Sequence, residues 1–382
     1  MQTVLRSAAN GPAIRGKRSR DPRQTVAVPT TAVPVVWSSA TRDHDPSGEV
    51  WIGVPTAGGE DAERVDEILA ATNTSAHRLV EATAHGDSAL LAVHSSALVE
   101  HLRTVHDEWL AGDYVELVGQ DRVVPYFFPT AAMLDGLPMH RAAAVHGRAG
   151  QFGYDTMTLV GPGTWSAARA AVDCALTAVD LVLAGTPLAY ALCRPPGHHV
   201  TRAAYGGSCY LNNAAVAAQA MRAAGRERVA VIDVDAHHGN GTAAIFYDRG
   251  DVLYGSVHVD PAAGWFPHVV GFADENGMGS GEGATRNLPL EPGTADPKWL
   301  AAIEELRDWA GQAAVDALVV SLGVDAAAED PESPLLVTPD GYREAGRLLA
   351  ALRVPTVAVQ EGGYHLPSLG GLVVAMLEGL AS

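Results

Sequence analysis

A chain of 382 residues, 47% apolar and 18% charged, has a globular composition and enough length to bury a large core. Its 26 Lys and Arg against 44 Asp and Glu leave a net charge of −18, which argues against a nucleic-acid partner and suits a cationic substrate drawn to its site. No apolar run reaches membrane-spanning length, the N-terminus lacks a secretory apolar core, and three scattered cysteines imply neither disulfides nor a cysteine-rich zinc site, so the cytoplasm is the expected compartment.

Residues 1–32 are rich in Arg, Gly, Pro and Ser without hydrophobic period, and read as a disordered extension with a basic cluster at Arg15, Lys17, Arg18 and Arg20. A single α/β domain is expected over 33–382. Residues 33–37 read as its first strand. Helices are expected over 60–72, with Val65, Ile68 and Leu69 at helical spacing, and over 95–110, with Ser95 as N-cap. Residues 111–163 show no clear period and read as an irregular region that forms the rim of a pocket. Thereafter strands and helices alternate. Thr164 caps a helix to Ala184, 188–193 is a strand, 211–224 a helix, and 229–234 and 252–257 are strands. A helix at 298–313 precedes a strand at 317–324, Thr338 and Pro339 open a helix to Leu352, and 356–360 is a strand. That rhythm predicts a mostly parallel sheet flanked by helices. Cys174, Cys193 and Cys209 sit in apolar contexts and read as core.

In such a sheet, ligands bind outside the carboxyl ends of the strands. Four strands here finish in polar residues: Arg194-Pro-Pro-Gly-His198-His199, Asp235-Ala-His237-His238, Asp325, and Glu361-Gly-Gly-Tyr364-His365. Asp235 and His237, two apart on an extended chain, face one spot. With Asp325 they offer a divalent ion two carboxylates and an imidazole, and leave positions open for chemistry. Two anionic ligands offset the ion's charge, so a separate general base is useful, and His198 and His199 are the candidates. Asp233, inside an apolar strand, needs a partner. An imidazole N–H would serve, and backbone or an alkali cation is an alternative that does not exclude it. Tyr364, after two glycines, is placed to stabilise an oxyanion.

The motifs RPPGHH (194–199), GGSCYLNNAAVAA (206–218), DVDAHHGNGT (233–242), SLGVDAAAEDP (321–331) and EGGY (361–364) resemble the histone deacetylase superfamily. Asn240, the SLGVD form and the 260–283 segment resemble its bacterial acetylpolyamine amidohydrolase branch in particular. The resemblance is strong over 160–380 and weaker over 33–160. It implies an arginase-like α/β fold with the active site at the strand C-terminal ends, and one Zn2+ or Fe2+ on Asp235, His237 and Asp325. It also implies His199 as general base, His198 as proton donor to the leaving amine, Tyr364 polarising the amide, and Asp233 holding His198. A structural K+ is implied at Asp233 and the Ser256 region, and a homodimer in which one subunit's loop narrows the other's channel. Gly207, Ser208, Phe266 and the rim acid Glu116 are the implied substrate contacts. At Ser208 most relatives carry a large aromatic, so a serine should widen the gorge, with Trp265 as a residue that refills the gap.

The leading expectation is a zinc-dependent amidohydrolase that removes an acetyl or similar acyl group from the amine of a cationic, acetylpolyamine-like small molecule. Alternatives are a protein acetyl-lysine deacetylase, a deacylase of a biosynthetic intermediate, a two-metal ureohydrolase and a non-catalytic binding protein.

Overall fold

The computed structural model describes residues 32–75 and 77–382; the expected extension lies outside them except for Ala32. Its strands are β1 (Pro34–Trp37), β2 (Glu49–Trp51), β3 (Val54–Thr56), β4 (Arg78–Glu81), β5 (Leu188–Ala191), β6 (Val229–Asp233), β7 (Val252–Val259), β8 (Thr285–Leu290), β9 (Ala317–Leu322) and β10 (Thr356–Gln360). Eight of them form one sheet in the order β4-β1-β5-β10-β9-β6-β7-β8. Every pairing in that sheet is parallel. β2 and β3 form a separate antiparallel hairpin.

The strands read as unbroken apolar runs because both faces are covered. Along β6, Val229 and Val231 join the core under the helices Ser96–Leu110, Thr164–Leu183 and Asn213–Ala223. Ala230 and Ile232 point the other way, to the helices Glu63–Thr74, Asp296–Gln312, Pro339–Ala350 and Leu366–Leu380. Truncating Ile232, which is fully buried, to alanine would cost about 2–5 kcal/mol. The three cysteines are free and buried, as core residues should be.

The departures from expectation have local causes. β5 and β9 stop short of residues 193 and 324, because the chain there turns out of the sheet to present side chains. The helix Thr164–Leu183 is not capped by Thr164: the cap is Gly163 at φ +74°, and the Thr164 hydroxyl instead accepts from the Gly161 N–H at 2.9 Å. Residues 111–163 contain three helices, Tyr114–Val118, Ala131–Leu134 and Val145–Phe152. The edge strands β4 and β8 escape notice in the sequence because β4 is mostly exposed and β8 contains Pro289. The terminal helix Leu366–Leu380 is apolar nearly all round and interrupted by glycines. Gly370 explains one of them: a Cβ there would lie 2.5 Å from the Glu67 carbonyl, so only glycine lets this helix pack on Glu63–Thr74.

Candidate active site at the strand ends

β6 delivers Asp233, Asp235 and His237 in extended steps, and the chain fixes itself as it leaves the sheet. Asp233 Oδ1 accepts the Asp235 N–H at 3.2 Å, and Asp235 Oδ1 accepts the His237 N–H at 2.9 Å. Asp325, just beyond β9, accepts the Ala236 N–H at 2.8 Å through Oδ1. Asp235 Oδ2 accepts the Gly362 N–H at 2.8 Å from the end of β10. A Cβ at Gly323 would lie 2.1 Å from Asp235 Oδ2, so the backbone passes where no side chain fits.

Donor atoms of Asp235, His237 and Asp325 lie within 4.8 Å of one another. His237 Nδ1 is 3.2 Å from Asp235 Oδ1 and 3.0 Å from Asp325 Oδ2. Both carboxylates are buried. Burial and the charge of Asp235 push Asp325 up to about 7. For Asp235 burial acts in the same upward sense, but His198 and His237 outweigh it and hold this carboxyl below its usual range. Two buried carboxylates around one imidazole need a positive charge among them. The donor set suits a divalent ion such as zinc.

His198 is buried with Nδ1 at 3.0 Å from Asp233 Oδ2, which Tyr254 also reaches through its hydroxyl at 3.1 Å. Glu361 Oε2 accepts the backbone N–H groups of Gly197 at 2.7 Å and His198 at 3.1 Å. Burial alone would lower the His198 pKa, but Asp235 and Asp233 override it and raise it to about 10. His199 is the opposite case: burial, with His198 and His237 nearby, keeps it well below its ordinary value. Its Nδ1 lies 2.7 Å from Asn240 Oδ1. With that amide oxygen accepting, Nδ1 carries the proton and Nε2 is free to act as a base. Two imidazoles with ring centroids 4.0 Å apart thus sit in different surroundings, one against a carboxylate and one against an amide oxygen, which push their pKa values in opposite directions.

Tyr364 is fastened on both sides. Asp330 Oδ2 accepts its N–H at 2.7 Å and that of His365 at 3.1 Å. The Arg64 guanidinium stacks 4.9 Å from the phenol ring and donates to the carbonyls of Gly363 at 2.7 Å and Glu361 at 2.6 Å. Burial raises the phenol well above its usual pKa despite Arg64, so it stays protonated and able to donate.

A cavity of about 450 Å³ reaches this centre and is lined by His199, His237, Tyr364, Gly207, Ser208 and Phe266, among others. Phe266 meets His199 edge-on, with ring centroids 4.9 Å apart. Gly207, at φ +60°, lies so close that a Cβ would come 2.4 Å from the His199 ring. Glu116 is not brought to the cavity. It is exposed on the short helix Tyr114–Val118, whose residues do not line the pocket, because the chain there runs outside the strand-end loops. Ser256 pairs with Asp233 across β6 and β7, and its hydroxyl is 2.8 Å from His258 Nδ1.

The sequence reading singled out Asn240 and Glu361 without giving either a task, and it missed Asp330 and Arg64 as anchors. Glu361 had a signal, since it is a carboxylate at a buried strand end. Asp330 and Arg64 had none, because their tasks are contacts with distant backbone. Glu361 also stands with His198 and Cys209 in a second buried group of potential ligands. There the carboxylate is already engaged by backbone N–H groups and by the Ser321 hydroxyl at 3.3 Å, and burial keeps the Cys209 thiol protonated.

The model of the histone deacetylase domain matches residues 59–380. The acetylpolyamine amidohydrolase of Mycoplana ramosa is 40% identical over 319 residues, covering 83% of this chain and 91% of the relative. A protein of the same name from Burkholderia pseudomallei (strain 1710b) is 43% identical over 307 residues, covering 80% and 86%. Among solved structures, acetylpolyamine aminohydrolase from Burkholderia pseudomallei superposes with a TM-score of 0.85 at 38% identity, covering 92% of this chain and 99% of the other. The HD domain of HDA15 follows at a TM-score of 0.72 and 28% identity, covering 92% and 90%. With the sheet, its strand-end site and these likenesses together, the chain is a hydrolase of the deacetylase class, has the arginase/deacetylase fold, and belongs to the histone deacetylase family.

Proposed function

We propose that this protein is a zinc-dependent amidohydrolase that removes an acetyl group from the amine of a cationic small molecule. The observation that carries the reading is the pair of adjacent imidazoles beside the three-donor cluster, with His198 Nδ1 at 3.0 Å from the Asp233 carboxylate and His199 Nδ1 at 2.7 Å from the Asn240 amide oxygen, His199 and His237 lining one cavity. Asp235, His237 and Asp325 would hold zinc, or ferrous iron, which supplies Lewis acidity and an activated water when bound. His199 takes a proton from the attacking water at Nε2. Tyr364 donates its hydroxyl proton as a hydrogen bond to the amide oxygen while negative charge develops there. His198, its charge sustained by Asp233, gives a proton to the departing amine. Asp233 and the Ser256 region would hold a structural potassium ion.

The cavity wall supports a cationic substrate. Glu49 and Glu332 both line it, and no Lys or Arg does among the described residues. Burial and the nearby Glu332 raise the Glu49 carboxyl, a strain that a substrate ammonium would relieve. Gly207, Ser208 and Phe266 would flank the substrate. The names of the relatives support an acetylpolyamine-like amine.

Leu117, Val118, Tyr126 and Leu137 are each at least 70% exposed, which supports a second copy of the chain as a partner covering the 114–139 region, with Glu116 at its edge. No helix among the described residues is long and apolar enough to cross a membrane. We read the chain as a cytoplasmic enzyme built as a single domain over 33–382.

The test is a rate comparison on zinc-loaded protein between N-acetylcadaverine and an acetyl-lysine peptide. The diamine should be the better substrate. Preference for the peptide would replace this reading with a protein deacetylase, and turnover of neither would overturn it.

A further inference from the structure

The catalytic cavity, about 450 Å³, carries a short side chain, Ser208, in a wall that also holds Trp51, Met157, Trp265 and Phe266. Position 208 follows Gly207, whose α-carbon rests against the His199 ring. The turn is held from outside: Asp155 Oδ2 accepts the Gly207 N–H at 2.6 Å, and Thr158 Oγ1 accepts the Ser208 N–H at 2.8 Å. Ser208 stands in the left-handed region, at φ +58°. The backbone is therefore fixed at this wall, and a short hydroxyl is all that it presents to the cavity.

Besides its glutamates and histidines, the cavity wall has an apolar, mostly aromatic part. Trp51, Met157, Trp265 and Phe266 line the cavity together with Ser208. Trp265 does not fold over the gap freely, since its indole N–H donates to the Glu332 carbonyl at 3.2 Å, which ties the ring to the Glu332 side. A second cavity of about 600 Å³ adjoins the first, and Trp51, Met157, Phe266 and His268 line both. A polymethylene chain has no flat face to set against these side chains. An aryl group has one, and can meet Phe266 and Trp51 edge-on or offset and Met157 through sulfur.

We propose that Ser208 and the Trp51–Met157–Phe266 wall select an acetylated amine carrying an aryl group between the amide and its distal cation, in place of a straight polyamine chain. This rests on the acyl-amine hydrolase reading above and names the substrate class within it. The bulk lies on the amine side. Asp235 and Asp325, where the amide would be cleaved, are buried, while Trp51 is 56% exposed, so the aromatic wall runs outward from the donor cluster towards solvent.

The test uses zinc-loaded full-length enzyme and two substrates of matched charge and nitrogen-to-nitrogen path, mono-N-acetyl-p-xylylenediamine and N-acetylhexamethylenediamine. The aryl compound should be favoured by about ten-fold in kcat/KM, the size of one good aromatic contact. Ser208→Phe should lower that preference by about ten-fold or more by filling the space. Trp51→Ala, on an exposed hairpin where folding is not at stake, should lower it about three-fold. Zinc content and melting temperature equal to wild type certify that each variant is folded. Preference of the wild type for the hexamethylene compound, or equal loss on both substrates in Ser208→Phe, would overturn the inference and leave the hydrolase reading standing. A faster rate on N-phenylacetylhexamethylenediamine than on either acetyl compound would also overturn it, by moving the bulk to the acyl side. Hydrolysis of none of them would overturn both.

Discussion

The floor of the cavity and its rim are built by different means. At the floor, Asp233, Asp235, Asp325, His198 and Glu361 leave the C-terminal ends of parallel strands, and backbone N–H groups point at each carboxylate. Nearly everything there is buried. At the rim, Trp51 belongs to the β2–β3 hairpin, Met157 and Trp265 to irregular loops, and Glu332 to a turn after Asp330. These residues are half-buried or exposed. The floor has little freedom to vary, because each change would strand a buried charge. The rim can change one side chain at a time, and so reaction and substrate choice can drift apart. Two carboxylates join the regions. Asp155 takes N–H groups from Met157, Thr158 and Gly207, and Asp330 takes those of Glu332, Tyr364 and His365.

The largest effect that would break this division is loss of the floor. Asp235→Ala should reduce bound zinc from about one per chain to near none and lower turnover by about 10³-fold or more. Metal analysis of the purified variant checks it, and full zinc content would mean that the donors lie elsewhere. Tyr364→Phe should come next, with kcat down about 10²–10³-fold while zinc stays bound. Loss of metal together with rate in that variant would make Tyr364 part of the scaffold.

Acid acts on the scaffold beneath the rim. His101 stacks on Phe152 at 4.3 Å between ring centroids and lies near Tyr205, which leads into the 206–208 turn. Burial, helped by Arg148, lowers its pKa from 6.5 to about 3, and burial likewise lowers His94 to about 4. Since the folded value lies below the unfolded one, the unfolded chain gains protons first as pH falls. The stability these rings permit is complete above about pH 6.5 and drains away between there and about 3. By pH 5 each ring should cost about 2 kcal/mol. His101→Phe, which keeps the stacking, should flatten the fall in denaturation midpoint between pH 7 and 5 by that amount. An unchanged slope would show that His101 does not stay neutral in the fold. The smallest effect lies outside both regions: Ser95→Ala removes the cap on the Leu98 N–H and should cost about 1 kcal/mol of stability with turnover unaltered.

The same division decides what could be read from sequence. Val229–Asp233 is an apolar run that breaks into acids, imidazoles and glycines, so both the strand and its ligands announce themselves. His198 and His199 stand out as candidates from a shared strand-end edge, while their separate roles come only from the family resemblance. The rim has no such period. Trp51 and Glu332 line one cavity from distant parts of the chain, and nothing in the sequence pattern marks Asp155 or Asp330 as ties between the regions. The Thr164 cap was misplaced because a glycine in the left-handed conformation can begin a helix with no side-chain signal.

The position of β10 has a consequence for how this chain is made. It is the last strand in sequence, yet it lies between β5 and β9 in the middle of the sheet. Until residues 356–360 leave the ribosome, β5 and β9 each keep an unpaired edge, the arrangement most prone to sticking to other chains. The parallel pairing of β10 with β5 also spans a long stretch of chain, which makes it slow to form. Glu361 and Tyr364 follow that strand directly, so the backbone N–H groups of Gly197 and His198 find their carboxylate only once β10 is in place.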